Sequence, residues 1–113
     1  MKKLLMLLGC LFTLAYSPSM FAGSKENPVT DTIRVSGNCG MCKKNIERAA
    51  AIKGVKKASW NPDSKELWVT YLPSKTSNEK IQQSIADAGY DTEKIRAKDE
   101  VYQNLHTCCQ YER

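Results

Sequence analysis

The sequence predicts an α+β domain of order β-α-β-β-α-β, a four-stranded antiparallel sheet with two helices on one face. Three observations predict it. Apolar and polar residues alternate over 29–36, 55–60 and 66–72, the pattern of strands buried on one side. Two other stretches, after Cys42 and after Asn78, repeat their apolar residues at helical spacing. Turn formers separate them: Gly54, Asn61-Pro62-Asp63-Ser64, Pro73 and Gly89.

In the first strand Val29, Ile33 and Val35 alternate with Thr30, Arg34 and Ser36. Ser36-Gly37-Asn38-Cys39-Gly40-Met41-Cys42 then ends the strand and opens a helix beginning near Lys43, about three turns long. Cys42, Ile46 and Ala49/Ala50 share one helical face, Lys43, Lys44, Glu47 and Arg48 the other, and Lys53-Gly54 supplies the stop. In the second strand Ala58 and Trp60 face inward. In the third, Leu67, Val69 and Tyr71 share the core face, which leaves Trp68 on the open face. Thr76-Ser77-Asn78-Glu79 has the form of a capping box, with Ile81, Ile85 and Ala88 as the buried stripe of the second helix and Gly89 as its end. Residues 90–97 complete the pattern as a weaker fourth strand whose one clear apolar position is Ile95. This is the split βαβ, or ferredoxin-like, arrangement.

With 113 residues the chain has room for one domain. Its first 23 residues read as a secretory signal: Met1-Lys2-Lys3 is the basic start, 4–16 the apolar run, and Ser17-Pro18-Ser19-Met20-Phe21-Ala22 the breaker and small-residue cleavage site. The apolar run is short of the roughly 20 residues a membrane-spanning helix needs. Leu7-Leu8-Gly9-Cys10 offers a second reading, a lipid anchor at Cys10. Cleavage removes Cys10 and leaves Cys39, Cys42, Cys108 and Cys109. It also removes two lysines from a net charge of +5. The remaining charges are interspersed, with no basic-aromatic stripe of the kind that binds nucleic acid. Residues 24–29 read as a leader, 30–97 as the domain, and 98–113 as a polar tail dotted with aromatics.

Cys39 and Cys42 place two thiols at a helix N-terminus, where unpaired backbone N–H groups and the helix dipole favour thiolate. Lys43 and Lys44 add positive charge nearby. Two thiolates suit a d¹⁰ soft ion at low coordination number, whereas Zn(II) needs further ligands. Three other readings stay open: a plain disulfide, a zinc-stabilised module using both cysteine pairs, and a thiol-disulfide oxidoreductase. Against the last, Cys39-Gly40-Met41-Cys42 has neither a preceding Trp nor an internal Pro.

A short βαββαβ chain with Cys-x-x-Cys in its first strand-to-helix loop resembles the heavy-metal-associated domain of copper chaperones, copper-transporting ATPases and the periplasmic mercury-binding protein. The resemblance implies a non-enzymatic carrier or buffer, and the secretory signal at 1–23 makes it an exported, periplasmic one. It would hold Cu(I), or alternatively Hg(II), on the sulfurs of Cys39 and Cys42 and pass it to the matching thiols of a metal-transporting ATPase or efflux protein. It also implies that Tyr90 is the aromatic beside the site. The family usually has Met two positions before the first Cys, tucked under the loop. Here Gly37 stands there, so the loop is expected to be looser, and Met41 reads as a loop residue beside the site.

The tail carries His106-Thr107-Cys108-Cys109, three soft or borderline ligands in four residues. Adjacent Cα atoms lie about 3.8 Å apart, below the usual disulfide range of roughly 4.4–6.8 Å, so Cys108 and Cys109 are better suited as thiolates than as a pair. A fourth strand over 90–97 would end at the pole opposite Cys39. A tail returning from there has to climb roughly 23 Å, which eleven residues reach only when extended. With Tyr102 and Leu105 packed on the domain, such a tail brings Cys108 or Cys109, with His106, toward Cys39 and Cys42 as auxiliary ligands.

Overall fold

The computed structural model describes residues 26–113. The signal and lipid-anchor readings at 1–23 and Cys10 lie outside the described residues. Three strands, β1 (Val29–Arg34), β2 (Val55–Asn61) and β3 (Glu66–Tyr71), form an antiparallel sheet in the order β1-β3-β2. Two helices, α1 (Gly40–Ala50) and α2 (Asn78–Asp87), connect and follow them, and a short helix α3 (Asp99–Gln103) and a 3-10 turn (Thr107–Cys109) complete the chain. No helix among the described residues is long and apolar enough to cross a membrane.

Alternation along the strands sorts the two faces as the sequence predicts. Leu67 on β3 stands opposite Ile33 on β1 and Trp60 on β2, and all three are buried. Ile46 and Ala50 of α1 and Ile81 and Ile85 of α2 close over them in one core. On the other face Thr32 and Ser59 flank Trp68, which is 59% exposed, and the Thr30 and Thr70 hydroxyls hydrogen-bond at 2.9 Å.

Helix α1 starts earlier than predicted. Cys39 is its N-cap, and Lys43 N–H donates to the Cys39 carbonyl at 3.0 Å, so both thiols belong to the helix start. The cap of α2 is one residue later than the expected box. Ser77 Oγ accepts from Lys80 N–H at 3.2 Å, while Thr76 is buried with its hydroxyl unpartnered. Gly89 ends α2 as expected, at φ +107°, a conformation that suits glycine.

The fourth strand does not form. Residues 90–97 make one isolated bridge, Val35 to Thr92, and otherwise curl on themselves. Their polar side chains take the backbone groups that a ladder would use. Asp91 Oδ1 accepts from Ala97 N–H at 2.7 Å, Thr92 Oγ1 accepts from Ile95 N–H at 3.0 Å, and Thr92 N–H donates to the Ile95 carbonyl at 2.8 Å. From α2, the fully buried Gln82 accepts at Oε1 from Thr92 Oγ1 at 2.7 Å and Lys94 N–H at 3.0 Å. Glu93 Oε1 takes the Arg34 N–H of β1 at 2.9 Å, blunting the sheet edge.

The curl also corrects the expected tail. Ala97 is held at Asp91, close to the Cys39 end of the sheet, because Ser36 N–H donates to the Asp91 carbonyl at 2.9 Å. The return is therefore short, and the tail makes it as α3 and a 3-10 turn rather than as extended chain.

Candidate metal centre

The loop before α1 rests on an aromatic floor. Trp60 is buried, and its Nε1–H donates to the Val35 carbonyl at 3.0 Å. A Cβ on Gly37 would meet Trp60 Cη2 at 3.0 Å and Ile46 Cδ1 at 3.1 Å, so the indole occupies the space beneath the loop. Lys65 Nζ donates to the Gly37 carbonyl at 2.6 Å while lying 5.6 Å from the centre of the indole. Trp60 thus occupies the space beneath Gly37, and Lys65 holds the loop's carbonyl. At the base of α1, Glu47 accepts from Trp60 N–H at 2.9 Å and pairs with Lys43, whose Nζ also donates to the Trp60 carbonyl at 3.0 Å.

Cys39 is half-buried and Cys42 fully buried, with sulfurs 4.0 Å apart. The backbone N–H groups of Cys42 and Met41 face the Cys39 sulfur and lower its pKa to about 7, favouring the thiolate. That is the helix-terminus effect expected from the spacing.

The tail joins them from the other side. Cys108 and Cys109 diverge from the 3-10 turn. Cys108 is exposed, with its Sγ 4.0 Å from Met41 Sδ, whereas Cys109 is fully buried. Burial first, then a hydrogen bond with Cys42, pushes the Cys109 thiol up to about 12. The sulfurs of Cys39, Cys108 and Cys109 all lie within 4.8 Å of one another. The backbone fixes this approach: Asn38 Nδ2 donates to the Cys108 carbonyl at 3.2 Å, and the Cys39 thiol lies 3.7 Å from the same oxygen. All four cysteines among the described residues are free thiols. His106 is exposed and is not part of the cluster. Met41 is 43% exposed at the rim.

Tyr90 is fully buried in the same core cluster as Cys42 and Cys109, with its hydroxyl accepting from Asn45 Nδ2 at 3.0 Å. Burial raises its pKa well above the ordinary tyrosine value, so it stays neutral. Sequence reasoning missed Trp60 as the loop floor and Asn38 as the tail's anchor. A bulky core residue opposite Gly37 was a readable signal for the first, but nothing in one sequence ties Asn38 to Cys108.

Ligand chemistry fits this donor set to a soft ion. Sulfurs about 2.3 Å from a common ion stand roughly 3.8 Å apart in a tetrahedron and roughly 4.0 Å in a trigonal plane, close to the spacing found here. No carboxylate belongs to the cluster, which disfavours hard cations.

Comparison with known proteins agrees with this geometry. The family model described as the heavy-metal-associated domain matches residues 32–91. Among solved structures, the CopZ metallochaperone is 33% identical, with a TM-score of 0.55, over 57% of this chain and 98% of its own. Oxidised MerP from Ralstonia metallidurans CH34 is 31% identical, with a TM-score of 0.55, over 58% of this chain and 94% of its own. A copper-binding domain from HMA7, a P-type ATPase, is 30% identical, with a TM-score of 0.55, over 57% of this chain and 89% of its own. No curated protein sequence matches the chain significantly. With more than half of its length matched, and with paired thiols at the start of the first helix, the chain belongs to the heavy-metal-associated domain family.

Proposed function

We propose that the protein carries or buffers a soft metal ion, Cu(I) first, gripped by Cys39 and Cys42, and that it performs no catalysis. The observation that carries this reading is the pair of sulfurs 4.0 Å apart at the start of α1, the Cys39 sulfur faced by the backbone N–H groups of Met41 and Cys42. A thiol whose pKa is lowered by backbone N–H groups gives up its proton more readily to a thiophilic ion. Similarity to a metallochaperone and to a copper-binding ATPase domain supports Cu(I) and a transporter carrying matching thiols as the receiving partner. The likeness to MerP keeps Hg(II) as the second reading. The basic, apolar start of the sequence supports export, with the working protein beginning near residue 24. Mass measurement of the secreted protein tests that cleavage, and finding residues 1–23 retained would refute it.

Anaerobic titration of the reduced protein with Cu(I) against a competing chelator tests the main reading. Cys39→Ser and Cys42→Ser should each weaken binding by orders of magnitude with the fold intact. Tight binding that survives both substitutions together would overturn it. The redox reading is separated by insulin reduction, where turnover no faster than that of free thiols is expected.

A further inference from the structure

We propose that the carboxy-terminal segment 107–113 is a built-in strap that adds Cys108 and Cys109 to the metal site, so that a bound ion meets at least three thiolates instead of two. The proposal rests on the soft-metal reading above and concerns the number of ligands and the ease of release.

The strap is part of the fold. Tyr111 is 3% exposed, and its hydroxyl accepts from Asp91 N–H at 2.8 Å while donating to the Gly89 carbonyl at 2.8 Å. Its ring stacks on Tyr90, with centroids 6.1 Å apart, and takes Tyr102 edge-on at 4.9 Å. Tyr102 in turn hydrogen-bonds the Tyr111 carbonyl. Arg113 ends the chain in a pocket of acceptors: Asp91 at 2.8 and 3.0 Å, Asp99 at 3.0 Å and the Ala97 carbonyl at 2.7 Å. Gln110 Nε2 donates to the carbonyls of Gln103 and Leu105, closing the turn. Leu105 packs against Gly89, where a Cβ would meet it at 3.0 Å.

These contacts bring the two tail thiols to Cys39, the three sulfurs lying within 4.8 Å of one another, while Cys42 stands outside that group with its sulfur 4.0 Å from that of Cys39. The backbone there bends at the 3-10 turn, so that Cys108 is exposed while Cys109 is buried in the same core cluster as Cys42 and Tyr90. Each thiol that ligates releases its proton to solvent and supplies a lone pair, so binding involves no redox step. The consequence is kinetic as well as thermodynamic. A two-coordinate ion leaves by accepting an incoming thiolate before losing one of its own, and here that third position is already taken from within the chain. Handing the ion over then requires Cys108 and Cys109 to be displaced, which makes the protein a holder more than a shuttle.

X-ray absorption and metal stoichiometry on the reduced full chain loaded with Cu(I) alone test the strap. The expected result is one ion per chain with three or more sulfurs in wild type, and two sulfurs in the Cys108→Ser/Cys109→Ser double variant. Losing an outer-shell partner commonly costs 10–100-fold in metal affinity, so losing a ligand should weaken Cu(I) by at least about tenfold and speed its removal by a competing chelator. Should the change at buried Cys109 disturb folding, Cys108→Ser alone, at an exposed position, is the second variant, and it should lose one sulfur. Two sulfurs in wild type, or two ions per chain with one lost on removing Cys108 and Cys109, would overturn the strap and leave the Cys39–Cys42 reading standing. Absence of Cu(I) binding by wild type would overturn both.

Discussion

Position 37 is glycine because Trp60 is its neighbour. The indole lies where any side chain at 37 would have to go, with Cη2 3.0 Å from a built Cβ, so the two positions form one packing unit beneath the cysteines. Restoring a Met at Gly37 therefore inserts a second large group into a filled space. Overpacking of this kind typically costs about 1–3 kcal/mol. Gly37→Met should destabilise the protein by that order in urea unfolding, and the same change in a Trp60→Ala background should cost less, giving a coupling energy of the opposite sign. Additive effects would mean that Trp60 does not fill the Met's place. Cys42 and Cys39 show the same dependence on neighbours. One is fully buried, and the other is half-buried and faced by two backbone N–H groups, so two sulfurs three residues apart have different surroundings.

The segment 90–97 has become a clasp instead of a strand, and Asp91 is its centre. Its carboxylate takes Ala97 N–H and both ends of the Arg113 guanidinium, with Arg96 farther out at 4.0 Å. Burial alone would raise the Asp91 pKa, but the Arg113 hydrogen bonds and the Ala97 N–H outweigh it and hold the carboxyl below its usual value. A carboxyl whose folded pKa is depressed contributes stability that is complete above the unfolded value, about 3.9, and is lost as pH falls through the folded value. Urea denaturation from pH 6 downward should show wild type losing stability below about pH 4. Asp91→Asn should start lower and flatten that limb, and an unchanged slope in Asp91→Asn would refute the clasp. This element was the least legible in the sequence. β1, β2, β3 and both long helices follow from alternation and helical spacing, and Cys39, Cys42 and Tyr90 follow from the motif and the family resemblance. The competition between ladder and side-chain hydrogen bonds joins local partners, Ala97 to Asp91 and Ile95 to Thr92, with Gln82 and Arg113 ten or more residues away, and the distant ones local pattern does not report. The tail's approach to Cys39 was legible as chemistry, through clustered ligands, but its path depended on a strand that does not form.

Across the whole molecule, the cysteine cluster joins the start of α1 to the tail. Cys39 begins α1, and Cys108 and Cys109 stand near the carboxy terminus, so an ion held by both sets closes a loop containing most of the domain. Cys42 and Cys109 belong to the buried core, but most of that core is apolar side chains with no part in ligation. Ile33, Leu67, Val69, Ile46, Ile81 and Ile85 are fully buried between sheet and helices, and the tail is anchored by Tyr111 and Arg113 through protein groups alone. The metal-free protein should therefore be folded, unlike small zinc modules whose folding waits on their ion. Loading should stabilise it further, since anything that binds the native state and not the unfolded chain adds about 2.7 kcal/mol at a hundredfold excess over its Kd. For a domain of this size each kcal/mol moves Tm by roughly 4–8 °C, so Cu(I) should raise Tm by about 10 °C or more. In the Cys108→Ser/Cys109→Ser variant the rise should be smaller, because the ion then bridges only two residues within one turn of α1 and cross-links nothing distant. Anaerobic thermal melts monitored by far-UV circular dichroism, with and without Cu(I), measure both quantities. A metal-free chain without a cooperative transition would contradict the self-sufficient core. Equal Tm gains in wild type and variant would show that the ion does not tie the tail to α1.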